Sequence, residues 1–210
     1  MAIAGEPVNV ALTFDDGYAE HYEIARTLYR RRISATFFLV TGLREWNKKP
    51  LLTQQPNLIR KMKEMKHEIG SHTRSHIDLR TTPDSRVHDE LKESKNYLEE
   101  VLGQQVEGFA YPFGHYDERI TRIASSHYKY ARTARRVERP NRYELPIRNC
   151  GLSLRTCSLL MTWTLLKSRG SAIILLHSTN KLSVLTWIQY MSFFRVHFVT
   201  LSELVEAEYD

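Results

Sequence analysis

Two adjacent carboxylates and two histidines four residues apart are the groups in this chain whose types and spacing could support catalysis. His72 and His76 would point the same way on a helical turn, so both imidazoles could bind one metal ion. Asp16 is the natural third ligand, and two imidazoles with one carboxylate leave coordination positions open, which is typical of catalytic rather than structural sites. The histidine spacing alone is weak support, because nine histidines produce such pairs by chance.

Asp15 and Asp16 repel one another when both are ionised, so a cation beside them would stabilise the pair. If Asp16 binds the ion, Asp15 is free to accept a proton from a metal-bound water, whose pKa the ion lowers from about 15.7 to about 7. His177 could then protonate the departing amine. The structural alternatives are an Asx turn before Gly17 for the aspartates and a hydrogen-bonded core position for His177.

The positions of these residues depend on the elements around them, which the hydrophobic pattern predicts as alternating strands and helices. The predicted strands cover residues 8–14, 35–40, 67–71, 108–111, 130–133, 144–148, 172–176 and 198–200. The predicted helices cover residues 18–32, 56–66, 83–102, 118–126, 158–167 and 184–194, with a short last helix from 202. Thr82 and Asp117 are expected to cap the third and fourth helices. Such alternation implies parallel strands joined by crossover helices, and seven or eight strands in this length favour a barrel over an open sheet.

All the candidate residues directly follow the end of a predicted strand. They are Asp15 and Asp16, His72 and His76, the segment 111–113, and His177. In a parallel α/β barrel the C-terminal ends of the strands lie on one face, so these four groups are predicted to meet there. This agreement of position supports a single site more strongly than any one motif does.

Composition limits the class of protein. The 210 residues are 42% hydrophobic and 26% charged, as in ordinary globular domains, and no apolar stretch approaches the roughly 20 residues of a transmembrane helix. Without a signal-like N-terminus, the chain is expected to be cytoplasmic as written, or extracellular or cell-surface if a leader was removed. Cys150 and Cys157 do not form a disulfide framework or a zinc pair and are expected to be reduced thiols.

The formal net charge of +6 weakly favours an anionic partner. Five arginines crowd one stretch that also contains proline and asparagine: Arg132, Arg135, Arg136, Arg139 and Arg142. A solvated loop is the first interpretation of this stretch, and a groove for an anionic glycan is the second. Nucleic acid is not expected as a partner, because no nucleic-acid-binding motif accompanies the charge.

Four motifs of this sequence resemble, in order, those of the polysaccharide deacetylase family, also known as carbohydrate esterase family four or the NodB-homology domain. They are Thr13-Phe14-Asp15-Asp16-Gly17-Tyr18, Ser71-His72-Thr73-Arg74-Ser75-His76, Tyr111-Pro112-Phe113-Gly114 and Ile174-Leu175-Leu176-His177. The segment 198–204 also resembles the last strand and helix of that family. The resemblance covers nearly the whole chain, and the first two motifs together are highly specific.

This resemblance implies an α/β fold in which residues 1–210 form a single domain, a distorted (β/α) barrel of about seven parallel strands. It implies one divalent metal ion, with zinc expected, bound by Asp16, His72 and His76. Asp15 would be the general base and His177 the general acid in a single-step attack by a metal-bound water on an acetamide. The residues that it assigns to substrate binding are Tyr18, Tyr111, Pro112, Phe113 and Leu175. By the same resemblance, Leu175 lines the pocket for the acetyl methyl group, and the backbone N–H of Phe113 helps to hold the oxyanion.

The partner of Asp15 departs from the family pattern. Many members have an arginine two residues before the proline of the third motif, where it pairs with the base aspartate; here that position is Ala110. A buried aspartate needs a cationic or hydrogen-bonding partner to stay ionised, because desolvation raises its pKa. We predict that Arg148, at the end of the predicted strand 144–148, supplies this charge to Asp15. The alternative is that Arg148 lies on the surface.

The function predicted from these residues is metal-dependent removal of N-acetyl groups from glycans that contain N-acetylglucosamine. The expected partner is an N-acetylated oligo- or polysaccharide, and the sequence does not determine the oligomeric state. A second possibility is hydrolysis of another non-peptide C–N bond or of an acetyl ester. A third is a glycan-binding module that keeps the metal ligands without catalysis; the intact Asp15 and His177 argue against it, and Ala110 argues mildly for it.

Overall fold

The computed structural model describes residues 8–134, 141–145, 171–177, 181–192 and 195–209. The strands are β1 (Val8–Phe14), β2 (Thr36–Leu39), β3 (Glu45–Trp46), β4 (Lys49–Pro50), β5 (Glu68–Ser71), β6 (Gly108–Ala110), β7 (Tyr130–Arg132), β8 (Ala172–Leu176) and β9 (Val196–Val199). The α-helices are α1 (His21–Tyr29), α2 (Pro56–Glu64), α3 (Asp84–Leu102), α4 (Glu118–Ser125), α5 (Lys181–Met191) and α6 (Leu201–Tyr209). Short 3-10 turns lie at Leu52–Gln54, Leu79–Thr81 and Pro112–Gly114.

Seven strands of the described chain form one parallel sheet in the order β7-β6-β5-β2-β1-β8, with β9 also paired to β1. One edge of β1 pairs with β8 along residues 10–14. The other edge is shared, since β9 pairs with residues 8–11 and β2 with residues 13–14. The sheet curls into a half-barrel within a single α/β domain, which confirms the predicted fold class. All pairings being parallel, the C-terminal ends of the strands lie at one end of the sheet.

The two faces of the sheet pack against different clusters. Successive side chains of a strand point to opposite faces. In β1, Leu12 and Phe14 belong to the large cluster that includes apolar residues of the helices, whereas Ala11 belongs to a smaller cluster on the inner side of the curl. In β8, Ile174 lies in the first cluster and Leu175 in the second. The alternation therefore places the residue after β1, Asp15, on the inner side.

Most predicted elements are present, and two strands, 8–14 and 172–176, have the predicted bounds. Asp117 caps α4 by accepting a hydrogen bond from the backbone N–H of Ile120 at 2.8 Å, as predicted. The predicted cap of α3 is wrong: Pro83 occupies the cap position, and the hydroxyl of Thr82 donates instead to the carbonyl of Asp78 at 2.9 Å. The first helix is shorter than predicted, because the backbone turns at Arg32 with a φ of 58° and closes the helix.

Several predictions fall on residues outside those described. They are the helix 158–167, Cys150, Cys157, Arg135, Arg136, Arg139, and the end of the strand 144–148, including Arg148. The described start of that last segment does pair with the sheet, since Leu145 forms a parallel bridge with Arg132. None of the helices formed by the described residues is both long and apolar enough to cross a bilayer. The extent of the domain, residues 1–210, stays a prediction.

Candidate metal centre

Asp16, His72 and His76 come together at the C-terminal end of the sheet. The Oδ1 atom of Asp16 lies 3.6 Å from Nε2 of His72 and 3.3 Å from Nε2 of His76. One donor atom from each of the three residues lies within 4.8 Å of the others, and all three residues are buried. Two donors bound to one zinc ion at tetrahedral angles lie about 3.3 to 3.4 Å apart. The spacing and the donor types therefore fit the predicted metal site at these three residues.

The loop that follows β5 brings the two histidines together without a helical turn. Thr73 and His76 both have positive φ values, 68° and 52°, and residues 72–78 form no helix. The hydroxyl of Thr73 accepts a hydrogen bond from the backbone N–H of His76 at 3.0 Å, and a buried carboxylate oxygen of Glu90 accepts one from the N–H of Ser75 at 2.7 Å. The four-residue spacing predicted convergence correctly but for the wrong reason, because a strained loop rather than a helix provides it.

The backbone of β6 orients His72. Nδ1 of His72 donates a hydrogen bond to the carbonyl oxygen of Ala110 at 2.7 Å. A carbonyl only accepts, so the proton lies on Nδ1 and Nε2 is left free to bind a metal ion. Burial lowers the pKa of His72 to about 4 in the metal-free protein, so the ring is neutral at physiological pH. Ala110, which stands where many members of the family have an arginine, thus contributes its backbone carbonyl to the orientation of His72.

A sharp turn directs Asp16 towards the histidines. Asp16 and Gly17 have φ values of 71° and 76°, and a side chain at Gly17 would meet Leu39 at 2.8 Å. Burial raises the pKa of the Asp16 carboxyl, but the hydrogen bond to His76, the charges of the two histidines and a hydrogen bond with Tyr18 together lower it by more. The result is a pKa well below the usual range, so this carboxylate is ionised and ready to bind a cation.

Asp15 lies beside this set and has a different partner. Its Oδ2 atom is 3.9 Å from Nε2 of His72, and its Oδ1 atom accepts a hydrogen bond from Nη2 of Arg132. Asp15 is only 3% exposed. Burial raises the pKa of its carboxyl group, and the charges of Arg132, His72 and His177 lower it by more, so the net pKa is below the ordinary value. The arrangement holds a second ionised carboxylate next to the candidate metal ligands.

Arg132 is the cationic residue that the sequence analysis missed in this role. It ends β7, is 1% exposed, and places its guanidinium carbon 5.2 Å from the centre of the Phe38 ring on the inner side of the sheet. The interpretation of Arg132 as part of a solvated loop is therefore wrong. The prediction that Arg148 pairs with Asp15 concerns a residue outside the described chain. A signal for Arg132 was present, because it lies within the predicted strand 130–133, near the strand end.

His177 directly follows β8, at the same end of the sheet as Asp15. The two strand ends are joined by a hydrogen bond from the backbone N–H of Asp15 to the carbonyl of Leu176 at 3.0 Å. His177 is exposed, and its backbone carbonyl accepts a hydrogen bond from the buried ring of His21 at 3.4 Å. His177 is thus accessible to a ligand beside Asp15, and its role as an acid stays a prediction.

The residues predicted to bind substrate divide into two groups. Phe113 is 51% exposed, has a φ of 58°, and its ring lies 4.6 Å from that of His76. Leu175 is buried on the inner side of the sheet. Tyr111 and Pro112 are buried, and the hydroxyl of Tyr111 donates to the carbonyl of Tyr143 at 3.1 Å. Phe113 is therefore the member of the third motif whose side chain is open to a ligand.

Tyr18 is buried as well, and its hydroxyl group is directed to Asp16 and Asn47. The sequence pattern predicts no element in residues 41–55, where the structure has the β3–β4 hairpin. Trp46 of this hairpin lies against His76, with ring centres 4.4 Å apart. No sequence signal identified it, because two-residue strands leave too short a pattern to detect.

Part of this chain is similar in sequence to curated proteins that are named as deacetylases. It is 34% identical over 98 residues to the peptidoglycan-N-acetylmuramic acid deacetylase PdaA of Bacillus subtilis (strain 168), a match that covers 46% of this chain and 34% of that protein. It is 35% identical over 85 residues to the chitooligosaccharide deacetylase of Bradyrhizobium sp. (strain ANU 289), covering 40% of this chain and 35% of that protein. The chain thus matches about a third of the length of these curated relatives.

Solved structures share the fold over almost the whole chain. The structure of Bacillus subtilis PdaA, a family 4 carbohydrate esterase, superposes with a TM-score of 0.71 at 20% identity and covers 96% of this chain and 82% of that one. BA3943 of Bacillus anthracis, described as a CE4 family pseudoenzyme, has a TM-score of 0.73 at 18% identity, with 95% and 66% covered. The sequence model of the family named Polysaccharide deacetylase matches residues 4–131, more than half of the chain. This chain therefore belongs to the polysaccharide deacetylase family.

Proposed function

We propose that this protein removes N-acetyl groups from glycans that contain N-acetylglucosamine, with one divalent ion, zinc, held by Asp16, His72 and His76. The observation that carries the proposal is the Asp15 carboxylate, which Arg132 keeps ionised beside these three residues. Glycan binding alone does not require a buried carboxylate and guanidinium at this position, and burying such a pair is costly. The relatives named above, which deacetylate peptidoglycan or chitooligosaccharides by name, support an acetylated amino sugar as the substrate.

The residues divide the work of amide hydrolysis. Bound to Asp16, His72 and His76, a divalent ion would polarise the acetyl carbonyl and make a water molecule acidic. Asp15, whose carboxylate stays outside the ligand set, accepts the proton of the attacking water. Arg132 holds Asp15 in one orientation and in its ionised form. His177, exposed at the same end of the sheet, donates a proton to the leaving nitrogen, without which an amine is expelled poorly.

The direct test is a screen for acetate release from N-acetylglucosamine oligomers, acetylated xylan and cyclic ureides, each with and without a chelator. Chelator-sensitive release of acetate from the N-acetylglucosamine oligomers is expected. Preferential release from xylan, or hydrolysis of a ureide, would replace the proposal with another hydrolase on the same fold. Tight oligomer binding without turnover would instead indicate a binding module, and one solved structure with the same fold is described as a pseudoenzyme.

Replacement of His177 tests the proposed acid. His177→Ala should lower turnover of acetamide substrates by about 10²-fold or more, the range of general acid catalysis. It should affect an activated aryl acetate much less, because a phenolate leaves without a proton. His177→Gln, which keeps a polar side chain of similar length, serves as the control for packing. Equal losses on both substrates would assign His177 to binding of the oxyanion or to structure.

A further inference from the structure

The two histidines of the candidate metal centre are held in different ways. His72 is fixed by the hydrogen bond from Nδ1 to the carbonyl of Ala110. The Nδ1 atom of His76 is buried and has no hydrogen-bond partner among the described residues. The His76 ring lies instead between two aromatic rings, with centres 4.4 Å away for Trp46 and 4.6 Å away for Phe113. Ring packing, rather than a hydrogen bond, therefore limits the orientation of this ligand.

Trp46 belongs to the β3–β4 hairpin, residues 45–50, whose two short strands are joined by a tight two-residue turn. Asn47 and Lys48 form the turn with φ values of 49° and 61°, the left-handed conformation that two-residue hairpins require. Both residues adopt it without glycine, although such a conformation is disfavoured for side chains other than asparagine. A hairpin of this kind has a defined shape and can present Trp46 in a fixed position.

The hairpin is fastened to the segment that follows Asp16. Ala19 donates its backbone N–H to the carbonyl of Pro50 at 2.9 Å, and Leu52 donates to the carbonyl of Gly17 at 2.8 Å. Trp46 also packs against a small buried cluster formed by Tyr18, Val40 and Leu51. These contacts connect the hairpin to one metal ligand through the backbone and to another through the Trp46 ring.

A polar contact connects the same hairpin to Asp16. Nδ2 of Asn47 donates a hydrogen bond to the hydroxyl oxygen of Tyr18 at 3.4 Å. A tyrosine hydroxyl carries one proton and can accept one hydrogen bond while it donates another. With its oxygen accepting from Asn47, the hydroxyl can donate its proton to the Asp16 carboxylate, with which it forms a hydrogen bond. The hydroxyl therefore restricts how the Asp16 carboxylate can rotate.

We propose that the 45–50 hairpin is a positioning device for the metal centre, in which Trp46 fixes the His76 ring and Asn47 acts through Tyr18 on Asp16. This inference rests on the proposed metal site and adds to it the residues that set its affinity. Partners that orient a metal ligand from outside the coordination sphere typically change metal affinity by about 10- to 100-fold. The hairpin reaches two of the three ligands, whereas His72 is oriented independently by β6.

Zinc affinity, measured by competition with a chromophoric chelator, tests the proposal without reference to catalysis. Trp46→Leu, which stays apolar but lacks the ring, and Tyr18→Phe, which lacks only the hydroxyl, should each raise the Kd for zinc by about 10- to 100-fold. Trp46→Phe should recover most of the affinity lost in Trp46→Leu. Thermal unfolding of the metal-free variants establishes that each one is folded.

The turn offers a matched pair of variants. Asn47→Gly keeps a residue suited to positive φ but removes the donor to Tyr18, and it should raise the Kd for zinc. Lys48→Gly makes the same change at the neighbouring position, where no contact to Tyr18 is lost, and should leave the Kd unchanged. In the double variant with Tyr18→Phe, Asn47→Gly should add no further loss, because its effect passes through the hydroxyl. Additive losses would refute that path.

Fluorescence gives an independent reading of the Trp46 contact. Cu²⁺ quenches indole emission at short range, so ion binding should quench the Trp46 emission in the wild type. Trp46→Phe should abolish most of this quenching, whereas Trp187→Phe should not, because Trp187 packs against Phe198 of β9. His72→Ala separates the two hypotheses. If His72→Ala binds zinc as tightly as the wild type does, the proposed metal site at Asp16, His72 and His76 is wrong. If His72→Ala loses zinc while the Trp46 and Tyr18 variants keep the wild-type affinity, only the proposal for the hairpin fails.

Discussion

Two carboxyl groups lie on the inner side of the sheet, the buried Asp15 near one end and the partly exposed Glu68 near the other, and their pKa values are shifted in opposite directions. Asp15, at the C-terminal end, accepts a hydrogen bond from Arg132, and its pKa is lowered. Glu68, at the start of β5, accepts hydrogen bonds from the hydroxyls of Tyr130 and Thr36 and from the N–H of Ser202, yet burial raises its pKa.

One strand, β7, supplies a hydrogen-bond donor to each of these two carboxyl groups. Tyr130 and Arg132 are two residues apart in β7, so both side chains point to the inner side, where one reaches Glu68 and the other Asp15. Three neutral donors to the Glu68 oxygens do not compensate the loss of water, whereas for Asp15 full charges, that of Arg132 first, do so. The comparison indicates that only the Asp15 end is built to keep a buried charge, as a base requires.

Replacement of each carboxyl group by an amide should give the largest difference between the two ends of the sheet, measured as turnover. Asp15→Asn should lower acetate release by about 10²- to 10⁴-fold, the usual contribution of a general base, while keeping zinc. Glu68→Gln should leave turnover per folded molecule unchanged, because the carboxyl lies at the opposite end of the sheet. Asp16→Asn is the control that loses zinc and turnover together. Wild-type turnover in Asp15→Asn, with metal content measured in parallel, would show that another group activates the water.

Removing the partner at each end should affect stability unequally. Arg132→Ala leaves the Asp15 carboxylate buried without its cation, which typically costs about 3 to 5 kcal/mol in the free energy of unfolding. Tyr130→Phe removes one hydroxyl among three donors to Glu68 and should cost about 1 to 2 kcal/mol. Urea denaturation of the metal-free proteins measures both values. Similar costs for the two variants would contradict the distinction between a charged and a neutral partner.

Arg132→Lys tests whether charge or shape matters, and it is available if Arg132→Ala does not fold. Lysine keeps the charge but lacks the planar fork that binds a carboxylate through two N–H groups. The acidic limb of the pH–rate profile should therefore stay close to that of the wild type, whereas in Arg132→Ala it should move to higher pH, because Asp15 loses the charge that favours its ionised form. An unmoved limb in Arg132→Ala would show that Asp15 stays ionised without Arg132.

The same comparison shows where sequence reasoning succeeds. The strands 8–14 and 172–176 were predicted with their observed bounds, because alternating or continuous apolar residues leave a clear pattern. The metal ligands were predicted from residue type and from their position after strands. Neither inference required knowledge of which residues meet across the fold.

The misses have two causes: contacts between residues far apart in the sequence, and elements too short to leave a pattern. Arg132 is 117 positions from Asp15, and four further arginines in the same stretch made a solvated loop the simplest interpretation. Thr73 and His76 have positive φ values in a loop that is hydrogen-bonded to Glu90 of α3, and no local propensity predicts them. Trp46 lies in a strand of two residues, too short to show a period. Placement of a residue along the chain was thus predictable, whereas its partner was not.

The smallest expected effect is the pH dependence of stability in the metal-free protein. It also gives the most direct comparison of the Asp15 and Glu68 carboxyl groups. A carboxyl whose pKa is lowered on folding adds stability above its unfolded pKa and loses it as the pH falls through the folded value. This applies to Asp15, with an ordinary pKa of 3.8. A carboxyl whose pKa is raised contributes fully below its unfolded pKa and loses that contribution as the pH rises through the folded value. This applies to Glu68, with an ordinary pKa of 4.5.

The difference in unfolding free energy between the wild type and each variant shows the effect of removing one carboxyl group, that of Asp15 or that of Glu68. For Asp15→Asn, the difference should fall as the pH is lowered below about 4, and for Glu68→Gln it should fall as the pH is raised above about 4.5, by about 1.4 kcal/mol for each unit by which folding changes the pKa. Burial lowers the pKa of His21 and that of His72 to about 4, which destabilises the wild type and both variants below about pH 6.5. This shared effect cancels for Glu68→Gln, whereas Asp15→Asn also removes the Asp15 charge that raises both imidazole pKa values. Urea titrations between pH 3 and 7 in the presence of a chelator provide the values. Slopes of the same sign would mean that Arg132 does not set Asp15 apart from Glu68, and the assignment of Asp15 as a base kept ionised by its own cation would have to be withdrawn.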